Sequence, residues 1–205
     1  MITFPPSFID LVKSSILKTD KFYNSQSKVC NPYYIGFGNP NADILIIGQE
    51  KAIGVNDLDR IKVESIDNPL QWTKLYTQKI NDHFYKFPNP TDFLNPFQPY
   101  KNRAKGNGRG QTWFYYQKLI SFIHPEILNK PLGNSFFEKT FITELNHQTS
   151  LKKRGYKPNP HREGMWKSEF FKSFPVTVLA AGNYLSQKQV EKLFNVKKTV
   201  DYSQP

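Results

Sequence analysis

Residues 42–54 read Ala-Asp-Ile-Leu-Ile-Ile-Gly-Gln-Glu-Lys-Ala-Ile-Gly. The run Ile44, Leu45, Ile46, Ile47 shows no alternation of polar and apolar residues, so a strand built from it must bury both of its faces. Such a strand belongs in the middle of a sheet. It breaks off at Gly48 into a short polar turn with Gln49 and Glu50. In open α/β sheets the turn at the carboxyl end of a central strand is where ligands are held. The candidate site is therefore expected at this turn, the alternative being a buried strand that ends in a solvated loop.

The rest of the chain supplies partners for that strand. Residues 140–143 (Thr-Phe-Ile-Thr) read as a second strand running into Glu144, Leu145 and Asn146, and residues 176–181 as a third, ending at Gly182. Residues 198–202 are a possible fourth. Tyr33, Tyr34, Ile35 and Phe37, set among turn formers, predict a short extended lead-in to the central strand. Helical periodicity follows Ser7, the expected N-cap, through Phe8, Leu11, Val12 and Ile16. It recurs after Asn68-Pro69, with Trp72 and Leu75, and after Gln111-Thr112, with Trp113, Tyr116, Leu119, Ile120 and Ile123 on one face. A short turn of helix is expected over 134–138, and longer helical patterns over 163–174 and 186–194. Strands separated by helices favour parallel crossovers, so the expected fold class is α/β: a three-layer α/β/α sandwich around a mainly parallel four-stranded sheet.

At 205 residues the chain is long enough for one domain with a full core, and one domain over 1–205 is expected. Within it, 1–41 form the N-terminal helix and lead-in, and 83–110 a long aromatic and basic loop. With 17 Phe, 11 Tyr and 3 Trp against two Met, the core should be built on rings. The formal net charge of +11 favours anionic partners, nucleic acid first. No apolar run approaches the roughly 20 residues that span a bilayer. The single cysteine, Cys30, excludes an internal disulfide and a Cys-based zinc site, and no secretory signal opens the sequence, so a cytoplasmic location is expected. A monomer with no metal and no cofactor completes that expectation.

Two stretches have the composition of a phosphate-gripping surface. Lys101, Arg103, Lys105 and Arg109 lie among glycines next to Phe97 and Tyr100, and Lys152, Lys153, Arg154 and Lys157 follow the second strand. A solvated basic loop is the alternative for both. The Walker loop, Gly-x-Gly-x-x-Gly after the first strand, Gly-x-Ser-x-Gly and paired metal-spaced His are all missing from the sequence, which leaves common phosphoryl transfer, dinucleotide binding and serine hydrolysis off the first rank.

The ordered set of segments resembles the uracil-DNA glycosylase superfamily. Ile-Leu-Ile-Ile-Gly-Gln-Glu at 44–50 is similar to its first motif, and Gly-Gln-Thr-Trp at 110–113 to the start of its middle helix. Phe-Ile-Thr-Glu-Leu-Asn at 141–146 resembles its second strand, ending in a pyrimidine-reading Asn, and residues 174–182 resemble its third. The resemblance implies that Glu50 positions or activates water, that Gly48, Gln49 and the turn backbone contact a flipped base, and that Asn146 reads it. It implies DNA as partner and metal-independent hydrolysis of the N-glycosidic bond of uracil or another deaminated base. The residue types suit that chemistry: a carboxylate can stabilise an oxocarbenium-like sugar, and an amide offers both a donor and an acceptor to a base edge.

Two departures stand out. Lys51 occupies a position where the family usually has Pro, and its His-Pro-Ser-like motif after the fourth strand has no match before the chain ends at 201–205. Either a C-terminal piece is missing or the leaving-group electrophile is lacking, with His147 and His161 as the replacements to weigh against ordinary loop histidines. Two rival functions are a catalytically silent nucleic-acid-binding module on the same fold and a small-molecule enzyme on a flavodoxin-like sheet.

Overall fold

The computed structural model describes residues 3–25, 30–54, 56–77, 94–99, 111–128, 134–150 and 155–197. Among them the chain is a mixed α/β protein with an open four-stranded sheet: β1 (Phe37–Gly38), β2 (Ile44–Gly48), β3 (Thr140–Glu144) and β4 (Val176–Leu179), in the order β1-β3-β2-β4. β2 pairs in parallel with both β3 and β4, and β1 runs antiparallel to β3. The α-helices are α1 (Pro6–Ser25), α2 (Leu58–Ile61), α3 (Asn68–Thr77), α4 (Gln111–Ile120), α5 (Asn134–Lys139), α6 (Pro160–Trp166), α7 (Glu169–Lys172) and α8 (Gln187–Phe194).

β2 is central, and every one of its residues is buried. Successive side chains point to opposite faces. Leu45 and Ile47 enter an aromatic core with Phe8, Trp72, Phe141, Trp166 and Phe170, while Ile44 and Ile46 pack with Ile120, Phe136, Phe137 and Ile142. The first cluster is held by ring contacts, Phe8 lying 4.8 Å from Trp72 and 4.9 Å from Phe170 between centroids. This is the ring-built core expected from composition, with edge-on pairs that add to simple area burial.

The sheet differs from expectation at one edge. The extended piece expected as a mere lead-in supplies β1, whose antiparallel pairing makes the sheet mixed; the fourth strand expected at 198–202 lies outside the described residues. Glycine is the reason the backbones come so close. Gly38 has φ +101°, and a Cβ on it would collide with the backbone oxygen of Thr140. On the outer side, Gly38 N donates to Pro96 O at 2.8 Å, and Leu94 and Phe97 are buried, so the described part of the 83–110 loop is packed.

Helix boundaries also move. α1 begins at Pro6, with Pro5 O accepting from Phe8 N and Ile9 N, so Ser7 is a first-turn residue and not the cap. Asn68 opens α3, but its side chain is spent on the lead-in: Oδ1 accepts from Ile35 N and Gly36 N, and Nδ2 donates to Gly36 O. On α4 the buried line runs through Gln117 and Ile120, and Leu119 and Ile123 are exposed, because positions three and four apart share a face. The pattern over 163–174 is two helices. α6 starts earlier, capped by Asn159 with Pro160 in its first turn, and Ser168 caps α7.

Candidate functional site

The parallel strands end at one edge of the sheet, and the segments that follow them are laced together. Ala180 N donates to Ile47 O at 2.8 Å, Leu145 N to Gly48 O at 2.8 Å, Asn146 N to Gln49 O at 2.9 Å and Ser150 N to Lys51 O at 3.0 Å. The turn after β2 is thus pinned between the segments leaving β3 and β4. Glu50 is half-buried there with both carboxylate oxygens engaged: Oε1 accepts from Tyr184 OH at 2.9 Å and Oε2 from Asn146 Nδ2 at 3.1 Å. Gln49 turns towards the third strand's exit, its Nε2 donating to Ala181 O at 3.3 Å.

Asn146 is almost fully buried, and its amide is a junction. Besides Glu50, Nδ2 donates to Gly155 O at 2.9 Å, and Oδ1 accepts from Lys157 N at 3.0 Å. Both amide hydrogens are committed, so in this arrangement Asn146 orients the Glu50 carboxylate and holds residues 155–157 against the turn. Contact with a base through its NH2 group would require one of those bonds to open.

A second charged group lies behind the turn. Glu50 and Lys51 are adjacent and diverge: the Lys51 side chain is buried with its Nζ over the Tyr34 ring, 2.8 Å from the centroid. Burial, with the nearby Arg162 charge, lowers its pKa to about 7 against the opposing pull of Glu144 and Glu64. Glu144, at the end of β3, pairs in register with Gly48. A Cβ on Gly48 would collide with the Glu144 carboxylate and lie 2.9 Å from Tyr116 OH, so the glycine makes room for both groups. Burial raises the Glu144 pKa to about 7, with Lys51 and Arg162 opposing the shift and Glu50 and Glu64 assisting it. Burial and the Glu144 charge also raise the Tyr116 phenol.

Arg162, on α6, closes the group from below. It is 2% exposed, yet its guanidinium is satisfied without a carboxylate. Nη2 donates to Glu144 O at 2.6 Å and Thr143 Oγ1 at 2.7 Å, Nη1 to Tyr34 O, and the cation lies 4.6 Å from the Trp166 ring centroid. This residue ties β3 to the Tyr34 segment directly beneath the turn. Sequence reading missed it, because His161-Arg162 looks like the end of a basic loop; the Asn159-Pro160 pair ahead of it was the available sign of a helix start.

Of the residues expected at the site, Gly48, Gln49, Glu50 and Asn146 come together here. Lys157 is exposed beside them. Lys101, Arg103, Lys105, Arg109, Lys152, Lys153 and Arg154 lie outside the described residues. Tyr184, Tyr116, Glu144 and Arg162 had not been singled out as site groups. His147 is held at a pKa of about 4 by burial and the charges of Arg162 and His161, so it is neutral near pH 7. His161 Nδ1 shares a 2.7 Å hydrogen bond with Tyr33 OH. Cys30 is buried with Sγ 3.7 Å from Thr149 Oγ1, a packing role. Among the described residues no cluster of three His, Cys, Asp or Glu side chains could hold a metal ion, and no helix is long and apolar enough to cross a membrane.

What the fold and turn define is an α/β protein with a fixed carboxylate at the carboxyl end of its central strand. No family model, curated protein or solved structure matches the chain.

Proposed function

We propose that the chain is a DNA-binding hydrolase of uracil-DNA glycosylase type, cleaving the N-glycosidic bond of uracil or another deaminated base in a DNA repair role. The observation that carries the reading is the Glu50 carboxylate, fixed through both oxygens by Tyr184 and Asn146 at the end of the buried strand β2. A carboxylate oriented in advance needs no reorganisation as positive charge develops on the sugar. In the reaction, a water oxygen bonds to the anomeric carbon, the carbon–nitrogen bond breaks with its electron pair going to the base, and Glu50 accepts the water proton. The base must leave the stack to reach the turn, and the net charge of +11 supports a protein that grips the opened strand.

Lys157 beside the turn, with the basic residues of 101–109 and 152–154, would contact phosphates. The reading goes with a three-layer α/β/α arrangement, supported by the separate apolar clusters that receive alternate residues of β2. A cytoplasmic monomer without metal or cofactor completes it. The silent nucleic-acid-binding module is the second reading, favoured by one observation: both amide hydrogens of Asn146 are already in use.

The experiment is base release and binding side by side, on uracil-containing single- and double-stranded oligonucleotides at low salt. A hydrolase loses release in Glu50→Ala while keeping salt-sensitive binding. A silent module binds in the same way, and neither wild type nor variant releases base.

A further inference from the structure

Resting on that reading of the turn, we propose that Glu144 is the acid of the reaction, delivering a proton to the departing base. The two carboxyl groups at the turn are held differently. Both oxygens of Glu50 are taken by protein donors, whereas the Glu144 carboxyl takes no hydrogen bond or ion pair among the described residues. It lies against the backbone of Gly48 with the Tyr116 hydroxyl beside it, and no side chain at position 48 separates it from the turn. Its place is fixed by the sheet, since Glu144 is the register partner of Gly48 in the parallel β2–β3 pair.

The charged and titratable groups facing it come from every packed element: Glu50 and Lys51 from the turn, Glu64 from residues 62–66, Tyr116 from α4 and Arg162 from α6. Burial dominates and keeps the group protonated up to about pH 7. Two carboxyl groups with different environments can divide acid and base work between them. The step balances. Glu144 gives its proton to the leaving base as the carbon–nitrogen bond breaks, water adds to the anomeric carbon, Glu50 takes the water proton, and solvent exchange resets both.

The test is the pH–rate profile of base release for wild type, Glu144→Gln and Glu144→Asp, on oligonucleotides carrying uracil or a fluorinated uracil that leaves more readily. Loss of a general acid slows Glu144→Gln by about 100-fold on uracil. The wild-type fall in rate as pH rises through about 7 disappears in that variant, and the defect shrinks with the better leaving group. Glu144→Asp, retaining a proton to give, is slowed but keeps the alkaline fall; it decides the matter should Glu144→Gln fail to fold. Wild-type release with an unchanged rate and profile in Glu144→Gln, or in Glu144→Asp where that variant must decide, overturns the acid role while the Glu50 reading stands. No release by wild type from any substrate overturns both.

Discussion

At the scale of single residues, the turn separates what the chain makes adjacent. Glu50 is held out by a phenol and an amide, and Lys51 is driven under the sheet edge onto Tyr34. Removing one orienting bond should loosen the carboxylate with little effect on stability. Tyr184→Phe is expected to slow base release about tenfold and to shift unfolding free energy by about 1 kcal/mol, read by oligonucleotide assay and urea titration. Arg162 carries the opposite balance, since its loss removes the guanidinium donors to Glu144 O, Tyr34 O and Thr143 Oγ1 from a buried site. Arg162→Ala should destabilise by about 3 kcal/mol or more, measured as a lowered urea midpoint. The pH dependence has a definite form. Glu144, raised from 4.5 to about 7, binds its proton more tightly when folded, so its contribution falls as pH rises from 4.5 to 7. Lys51, lowered from 10.5 to about 7, favours the folded state increasingly as pH rises from 7 to 10.5. The pair therefore gives a stability minimum near pH 7. Glu144→Gln should gain on wild type in melting temperature between pH 4.5 and 7 and hold that gain above it; a difference constant with pH would contradict the assignment. The place of Glu50 was legible in the sequence because an unalternating apolar run that stops at a glycine marks a central strand and the turn at its carboxyl end. Glu144 was read only as the end of a strand, since nothing local reveals that Gly48, at the end of the preceding strand and far away in sequence, leaves space for it.

At the scale of elements, apolar pattern located the three parallel strands and missed the edge. Phe37–Gly38 is too short to carry a period, and its pairing with β3 depends on two glycines whose close approach is a tertiary fact. Gly38→Ala should break that pairing, because φ +101° strains any L side chain and the new Cβ meets backbone. A loss of about 2 kcal/mol or more is expected, with faster amide exchange at 37–38 and 141–142. Residues 58–66 form a helical turn and a π-turn where no periodicity showed, since so short a segment buries only Ile61, Val63 and Ser65. The α8 boundary was legible for a local reason. Ser186 and Gln189 form a reciprocal cap that sequence spacing alone predicts.

At the scale of the whole molecule, charge and site make one claim. On the proposed reading a chain with a net charge of +11 meets DNA through phosphates, so its affinity should fall at least tenfold between about 50 and 200 mM salt, followed by fluorescence anisotropy on a labelled oligonucleotide. Salt-insensitive or undetectable binding would favour a small-molecule enzyme instead. The sequence announced this charge, and the described residues hold only Lys157 of the proposed contacts beside the turn. The most direct measurement is release of free base from a uracil-containing oligonucleotide, with wild type and Glu50→Gln compared at equal occupancy of DNA. The account predicts release by wild type and a loss of about 100-fold or more in the variant at unchanged affinity. Equal release by both would remove Glu50 from the reaction, and no release by either would leave a protein that binds DNA without cutting the bond.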